Sequence, residues 1–441
     1  MSQSRLLVVG AGPVGLAMAD ALRRAAIPYD QVDAGSGIGG NWRHGIYSTV
    51  HTVSSKRSTA FADYPMPDEY PDFPSGAQML AYLESYARDR GLLASIQTDQ
   101  EVIEAYPNPN DSWTVCFAGG DERIYKGLVV CNGHHWQRIM PDLPGRYTGR
   151  VMHAKDYRQP ADLRDRRVLV IGGGNSGCDL ASEAARVAIS SDWSLRSGAW
   201  FLPKMAFGRP LTDLPIWRLP ISIQRLVLKG LIRAFIGDYR SYGLPIPRHR
   251  IFDHHPTFGT EALGYVRQGR IVPRPGIAEC DGETVRFVDG SSGAYDLIVA
   301  ATGYRVSYPF LPRGLVEVRD NVTQIYGGAF PAGVKNLYIV GSEQPRNGFG
   351  ALVTPATRLY ARLIAMQDEL EHPIGSILKY GGEKIPPTPY LDPARAQRQI
   401  RWGHRLLPVF KMEARRLSRR EPYVRPAFER TPPVAYRTAA E

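Results

Sequence analysis

Cysteine is scarce and scattered in this 441-residue chain: Cys116, Cys131, Cys178 and Cys280 lie far apart and form no C-x-x-C pair. That spacing excludes a disulfide framework, a zinc site of ordinary ligand spacing and a redox-active dithiol, and no metal site is expected. Long apolar runs are missing too, with none reaching the roughly 18 residues of a membrane span. The longest, residues 219–237, is interrupted by Arg225, Lys229 and Arg233 at helical spacing, which makes it an amphipathic helix with a basic stripe. The opening MSQSRLLVVGAG enters an apolar strand at once, so no cleavable leader is expected. Together with the unpaired cysteines this makes the cytoplasm the expected compartment.

Acid is in short supply relative to base: the net charge is +11, and residues 391–421 hold nine Arg or Lys against three Asp or Glu. No zinc-finger or RNA-binding signature accompanies this basic segment, so a solvated basic face is expected and no nucleic-acid partner. The basic amphipathic segments leave peripheral contact with an anionic membrane open. With 43% hydrophobic and 22% charged residues, the chain has material for two or three domains with a large core.

What is present is a repeated syntax. A strand at residues 5–9, a glycine turn, a helix over 15–25 and a strand at 29–32 make a βαβ beginning. The same order recurs as a strand at 167–171, a turn at 172–177, a helix over 178–187 and a strand at 192–195. The fold class is therefore α/β with two Rossmann-like dinucleotide-binding folds. Strands at 113–117 and 125–131, and later ones at 296–300 and 336–340, read as completing the first fold, so the second is an insertion into it. The expected division is 1–160 with 295–375 for the first fold, 161–294 for the second, and a basic extension at 376–441 that wraps the surface with few strands. Residues 204–255, rich in proline, are the expected location of a substrate channel.

In Gly10-Ala11-Gly12-Pro13-Val14-Gly15, Gly10 permits the tight turn, Gly12 lets a pyrophosphate approach, and Gly15 lets the helix pack on its strand. Asp33 ends the next strand, where an acid hydrogen-bonds ribose hydroxyls. The second motif, Gly172-Gly173-Gly174-Asn175-Ser176-Gly177, keeps the glycine spacing at Gly172, Gly174 and Gly177. Its following strand ends in Ser194-Leu195-Arg196-Ser197 with no acid, and an arginine there fits a 2′-phosphate. NADPH is thus inferred over NADH. Two such motifs and a closing Ala301-Thr302-Gly303 imply one resident flavin, FAD, and one nicotinamide that reduces it.

With these motifs in hand, the chain from Leu6 to about Ile364 resembles the flavin-containing monooxygenases. The most specific element is Tyr147-Thr148-Gly149-Arg150-Val151-Met152-His153-Ala154-Lys155-Asp156-Tyr157, similar to the family pattern F-x-G-x-x-x-H-x-x-x-Y/F with Tyr147 in place of Phe. Ending in Tyr157 rather than Trp, it leans toward the branch that oxygenates heteroatoms. Gly39-Gly40-Asn41-Trp42, Phe61 to Pro65, Thr302-Gly303-Tyr304 and the segment Gly341 to Gln344 match as well. The resemblance assigns Gly40, Trp42, Thr302, Gly303 and Gln344 to the FAD site with Gly10, Gly12, Pro13, Gly15 and Asp33; Gly172, Gly174, Asn175, Ser176, Gly177 and Arg196 go to NADPH. Where the family commonly has T-N-x-S-K, this chain has Thr52-Val53-Ser54-Ser55-Lys56, and Val53 cannot make the hydrogen bond of an Asn. His51, Ser54 and Ser55 are the polar candidates to replace it, with His51 and Ser54 placed at the flavin edge. His153 is expected to be structural, and His134 and His135 to pack near the flavin.

The resemblance implies that one oxygen atom of O2 passes through a flavin 4a-hydroperoxide to a soft nucleophile, an amine nitrogen or a sulfide sulfur on a small molecule. It also makes a homodimer a family-level expectation. Competing readings on the same scaffold are a Baeyer-Villiger enzyme and an uncoupled NADPH oxidase. A disulfide reductase is excluded by the missing cysteine pair.

Overall fold

The computed structural model describes residues 2–428; Met1 and residues 429–441, the end of the expected extension, lie outside the described residues. Two parallel five-stranded sheets organise it. In the first, Leu6–Val9 lies between Tyr29–Val32 and Gly127–Val130, with Ile96–Gln97 and Leu337–Ile339 at the edges. Leu6–Val9 and Gly127–Val130 are buried throughout, as parallel strands covered on both faces must be. The helix Pro13–Arg24 lies against this sheet and packs on the helix Gly350–Met366. In the second sheet, Arg167–Ile171 lies between Leu297–Ala300 and Ser190–Ser194, with Arg150–His153 and Ile271–Arg274 outside them.

Two strands depart from the expected division. Arg150–His153 and Leu297–Ala300, read from sequence with the FAD fold, pair in the second sheet, which therefore draws on residues beyond both expected limits, 161 and 294. A short apolar run such as LIVA fits the centre of either sheet, so order along the chain does not reveal its partner. Trp113–Phe117 likewise leaves the main sheet. It pairs antiparallel with Val102–Pro107 and Glu122–Tyr125 in a separate three-stranded sheet.

The extension also differs from a surface wrap. Its described part forms a short strand, Tyr390–Leu391, paired parallel with Gln344–Pro345, and two helices, Pro393–Arg405 and Leu407–Arg420. Phe410, Ala414 and Leu417, spaced four and three apart, make the buried stripe of the last helix, while Arg415, Arg416, Arg419 and Arg420 face outward. The basic charge is thus a solvated face on an element whose other face is packed.

Candidate functional site

Both glycine turns open on one continuous cavity of about 2830 Å³, well beyond the roughly 300–1,000 Å³ of an ordinary small-molecule pocket. Of the residues singled out from sequence, Gly10, Gly12, Pro13, Asp33, Gly40, Trp42, His51, Ser54, Thr302, Gly303 and Gln344 line it. So do Gly172, Gly174, Asn175, Ser176 and Arg196. Gly15 and Gly177 do not: a Cβ on Gly15 would meet the Gly10 carbonyl oxygen at 2.1 Å, and one on Gly177 the Gly172 oxygen at 2.0 Å. Those two glycines bring each helix onto its strand.

The first turn is braced from two sides. The Ala11 N–H donates to Asp33 Oδ2 at 2.6 Å and the Gly35 N–H to Asp33 Oδ1 at 2.8 Å, so the carboxylate ties the glycine turn to the end of the second strand. The Gly39 N–H donates to the Ala11 carbonyl at 2.9 Å, and Gly40, at φ +56°, comes so near Gly12 that an added Cβ would stand 3.1 Å from its Cα. Two facing glycines leave a groove that side chains would fill. The helix Pro13–Arg24 begins at Gly12 with no side-chain cap, as the helix Asn175–Val187 does at Gly174. Each leaves backbone N–H groups and the positive end of a helix dipole facing the cavity.

At the second turn the Asn175 side chain accepts from the Phe258 N–H at 2.8 Å, so it holds a neighbouring loop. Arg196 lies exposed on the cavity rim and has no carboxylate partner among the described residues. By contrast Arg274, in the neighbouring strand, pairs with Asp192 at 2.7 Å. The Thr302 hydroxyl donates to the Ile139 carbonyl, and the Gly303 carbonyl lies 3.1 Å from His153 Nε2. His153 Nδ1 accepts from the Lys155 N–H at 3.0 Å, which leaves Nε2 as the donor to Gly303. Tyr147 donates its hydroxyl, the group a Phe lacks, to the Tyr295 carbonyl at 2.9 Å.

Loop 45–55 bridges the two folds. The Tyr47 hydroxyl donates to Asp179 Oδ2 at 2.7 Å, and Val50 and Val53 pack against the apolar cluster of the second fold. Burial raises the Asp179 carboxyl, an effect the Tyr47 donation opposes. Ser54 bonds Thr59 Oγ1 at 2.7 Å, and both residues line the cavity. Ser55 is not a replacement for an Asn there: it caps the helix Lys56–Thr59, donates to Asp213, and is absent from the cavity wall. His51 is exposed, its Nδ1 at 2.9 Å from the Thr49 carbonyl, leaving Nε2 uncommitted.

Histidines supply the least polarised wall. His134 Nδ1 meets the Gly341 carbonyl at 3.0 Å, and its buried Nε2 has no partner among the described residues. The His134 and His135 rings stand 4.1 Å apart. Burial lowers both, His135 well below its ordinary range, and takes His255 down to about 4, so all three are neutral near pH 7.

Lys155, absent from the sequence candidates though it lies inside the 147–157 pattern, bonds Asn41 Oδ1 at 3.0 Å and the His135 carbonyl at 3.2 Å. Burial, then Arg138 and Arg158, brings it to about 8. Glu343, Asn347 and much of the extension were missed as well. Of the region 204–255, expected to hold a substrate channel, Thr212, Gly243, Leu244, Pro245, His254 and His255 line the cavity, and the helix Ile221–Phe235 does not.

The family described as flavin-binding monooxygenase-like matches residues 3–367. Flavin-containing monooxygenase 5 of Oryctolagus cuniculus is 31% identical over 393 residues, 82% of this chain and 73% of the relative. Flavin-containing monooxygenase 3 of Rattus norvegicus is 29% identical over 428 residues, 86% and 79%. Among solved structures, the S-allyl-L-cysteine S-oxygenase of Allium sativum superimposes with a TM-score of 0.65 at 21% identity, covering 96% of this chain and 94% of that one. OTEMO in complex with FAD and NADP gives 0.67 at 19%, covering 84% and 86%. Likeness at that identity speaks to the fold, two nucleotide-binding domains of Rossmann type. The length and identity of the sequence matches carry the further conclusion that this chain belongs to the flavin-containing monooxygenase family and is an FAD- and NADPH-dependent oxidoreductase.

Proposed function

We propose that this enzyme transfers one oxygen atom of O2 to an amine nitrogen or a sulfide sulfur of a small molecule, with FAD on the first glycine turn and NADPH on the second. The observation that carries the reading is the single cavity onto which two uncapped, glycine-started helices open. A bound reduced flavin supplies the chemistry of O2 activation. The chain supplies the rest. Gly12 and Gly40 leave the pyrophosphate groove, Asp33 retains acceptor capacity toward a ribose, and the orphan His134 Nε2 and Asn347 Oδ1 offer hydrogen bonds at the wall. Arg196, free of a carboxylate, receives the 2′-phosphate. His51 Nε2 and the Ser54–Thr59 pair are the polar groups beside Val53 at the reacting edge.

In this reading residues of 1–160 and 295–375 hold FAD and those of 161–294 hold NADPH, the second sheet borrowing a strand from each side. Among the described residues no helix is long and apolar enough to cross a membrane. Exposed Leu226 and Phe207, at 71% and 76%, beside Lys229 and Arg233, support peripheral contact with an anionic bilayer. The unpaired cysteines support a cytoplasmic enzyme.

Purified yellow protein mixed anaerobically with NADPH, then with O2, tests the function. Bleaching by NADPH and oxygen transfer to an added sulfide or amine with little peroxide is the expected result. Stoichiometric peroxide in the presence of every such substrate refutes oxygen transfer, and absence of bleaching refutes the NADPH site.

A further inference from the structure

Arg346 follows the strand Gln344–Pro345 in the cavity wall and has no part in the reading above. Its side chain is only 11% exposed. The guanidinium lies over the Phe252 ring, 4.8 Å from its centroid, and Phe252 holds φ +76°, a backbone region that few bulky side chains enter. Strain of that kind is kept where the direction of a side chain matters. Of the N–H donors of Arg346, one at Nη1 reaches Asp392 Oδ2 at 3.2 Å. Nε is buried without a partner, and Nη2 bonds nothing among the described residues.

The one carboxylate is shared. Asp392 Oδ1 accepts from the Arg395 N–H at 3.0 Å as the N-cap of the helix Pro393–Arg405, which leaves Oδ2 for Arg346. The other charges acting on Arg346 are Arg225 and Asp253, and these pair with each other at 3.0 Å. Arg395 adds a second cation to the wall, with Glu383 within reach of its field. Glu343 turns the other way, toward Gly328 and Tyr360. A guanidinium covered to this degree ordinarily has its donors bonded, and this one is short of acceptors on a cavity wall.

The same segment borders the reacting edge. Gly348 approaches the Ser58 carbonyl so closely that an added Cβ would stand 2.5 Å from its oxygen, beside the Ser54–Thr59 pair. From Asp392 the C-terminal helices carry the wall onward, where Ile400, Leu407 and Phe410 with Val353 and Leu363 make an apolar lobe.

We propose that Arg346 is the subsite for a carboxylate on the substrate, so that the enzyme prefers sulfides or amines that carry an acid group. The inference rests on the monooxygenase reading and narrows its substrate class. In that reading the cofactor phosphates are held by the two glycine turns and Arg196, which leaves this cation to the substrate. A carboxylate meets a guanidinium by charge-assisted hydrogen bonds, which Nη2 is free to make. The acid group takes no part in oxygen transfer, so the sulfur or neutral nitrogen keeps the electron pair that receives the oxygen atom.

Hexanoate and hexanamide, which share a chain and have no sulfide or amine to oxygenate, are the binding probes, followed by equilibrium dialysis against the holoenzyme. Wild type is expected to bind the acid about tenfold or more tighter than the amide, the gain of a hydrogen bond to a charged group. Arg346→Gln loses that preference, and Arg346→Lys, which keeps the charge without the planar fork, retains part of it. Asp392→Asn still caps its helix and frees the guanidinium, so it binds hexanoate more tightly than wild type does. A purely structural ion pair would lose binding in both variants. In turnover, the kcat/KM ratio of methylthiohexanoate to its primary amide falls about tenfold in Arg346→Gln, with flavin content and the KM for NADPH unchanged. Equal binding of acid and amide by wild type, or weaker hexanoate binding in Asp392→Asn, overturns the proposal. So does a raised KM for NADPH or a loss of flavin in Arg346→Gln with the acid-to-amide ratio held, which would give the cation to a cofactor phosphate. Failure of the monooxygenase reading shows elsewhere, as wild-type flavin that NADPH does not bleach, whereas hexanoate binding needs no turnover.

Discussion

Arg196 stands at the cavity rim without a carboxylate to neutralise it among the described residues, where an acid would repel a phosphate dianion. Arg196→Ala is expected to raise the KM for NADPH by roughly tenfold to a hundredfold, the range of a lost hydrogen bond to a charged group, and to leave the KM for NADH almost unmoved. Steady-state kinetics with both nucleotides decides it; parallel losses would place the 2′-phosphate elsewhere. Glu343 gives a second prediction with a definite sign. Its carboxyl rises from an ordinary 4.5 to about 7 by burial, so between these values the folded chain keeps a proton that the unfolded chain has lost. That contribution is full below about 4.5 and is lost as pH rises through about 7. Substrate-free Glu343→Gln, a permanent mimic of the neutral acid, should therefore melt above wild type at pH 8 and converge with it toward pH 5. A constant offset across that range would show that burial does not govern this carboxyl. The proposal for Arg196 could be made from the sequence because the residue occupies a fixed offset from a glycine motif. Glu343 was not, since what singles it out is the lack of a partner, a property of the surrounding fold.

At the scale of elements, each strand-turn-helix unit separates glycines whose Cβ would clash with the preceding turn from glycines that face open space. A Cβ on Gly177 would lie 2.0 Å from the Gly172 oxygen, but one on Gly174 meets nothing within 4 Å. Gly177→Ala is expected to cost roughly 1–3 kcal/mol by overpacking the helix on its strand. Gly174→Ala is expected to keep the melting temperature and raise the KM for NADPH, because its methyl occupies space only a pyrophosphate needs. Thermal melts beside NADPH titrations separate the two effects, and a Gly174→Ala protein that melts well below wild type would contradict the open space. These units were legible because their signals are local: a run of apolar residues, then glycines at set intervals, then a helical stripe. Sheet membership was not. Arg150–His153 and Leu297–Ala300 find each other across more than a hundred residues, and no spacing rule encodes which of two sheets receives them.

For the whole molecule, the C-terminal extension changes from an appendage to a wall. Its strand hydrogen-bonds to the Gln344 segment, with the Gln344 N–H donating to the Pro389 carbonyl at 2.8 Å, and its helices close the apolar lobe beside it. The charge count concealed this role, because nine basic residues dominate the composition of 391–421 while Phe410, Ala414 and Leu417 do the packing. A chain ending at residue 388 keeps both nucleotide sheets and both glycine turns, so it should still bind FAD and be bleached by NADPH. Without the wall, water reaches the reaction site, and reducing equivalents should appear increasingly as peroxide instead of oxygenated product. Phe410→Ala tests the same point in a full-length chain, where a smaller cavity loss of roughly 3–5 kcal/mol in local packing should shift the peroxide yield in the same direction. Oxygen uptake measured with and without catalase gives the fraction lost. If the shortened chain and Phe410→Ala couple NADPH to product as well as wild type does, the extension is a covering on the fold and the lobe it encloses has no part in protecting the reaction.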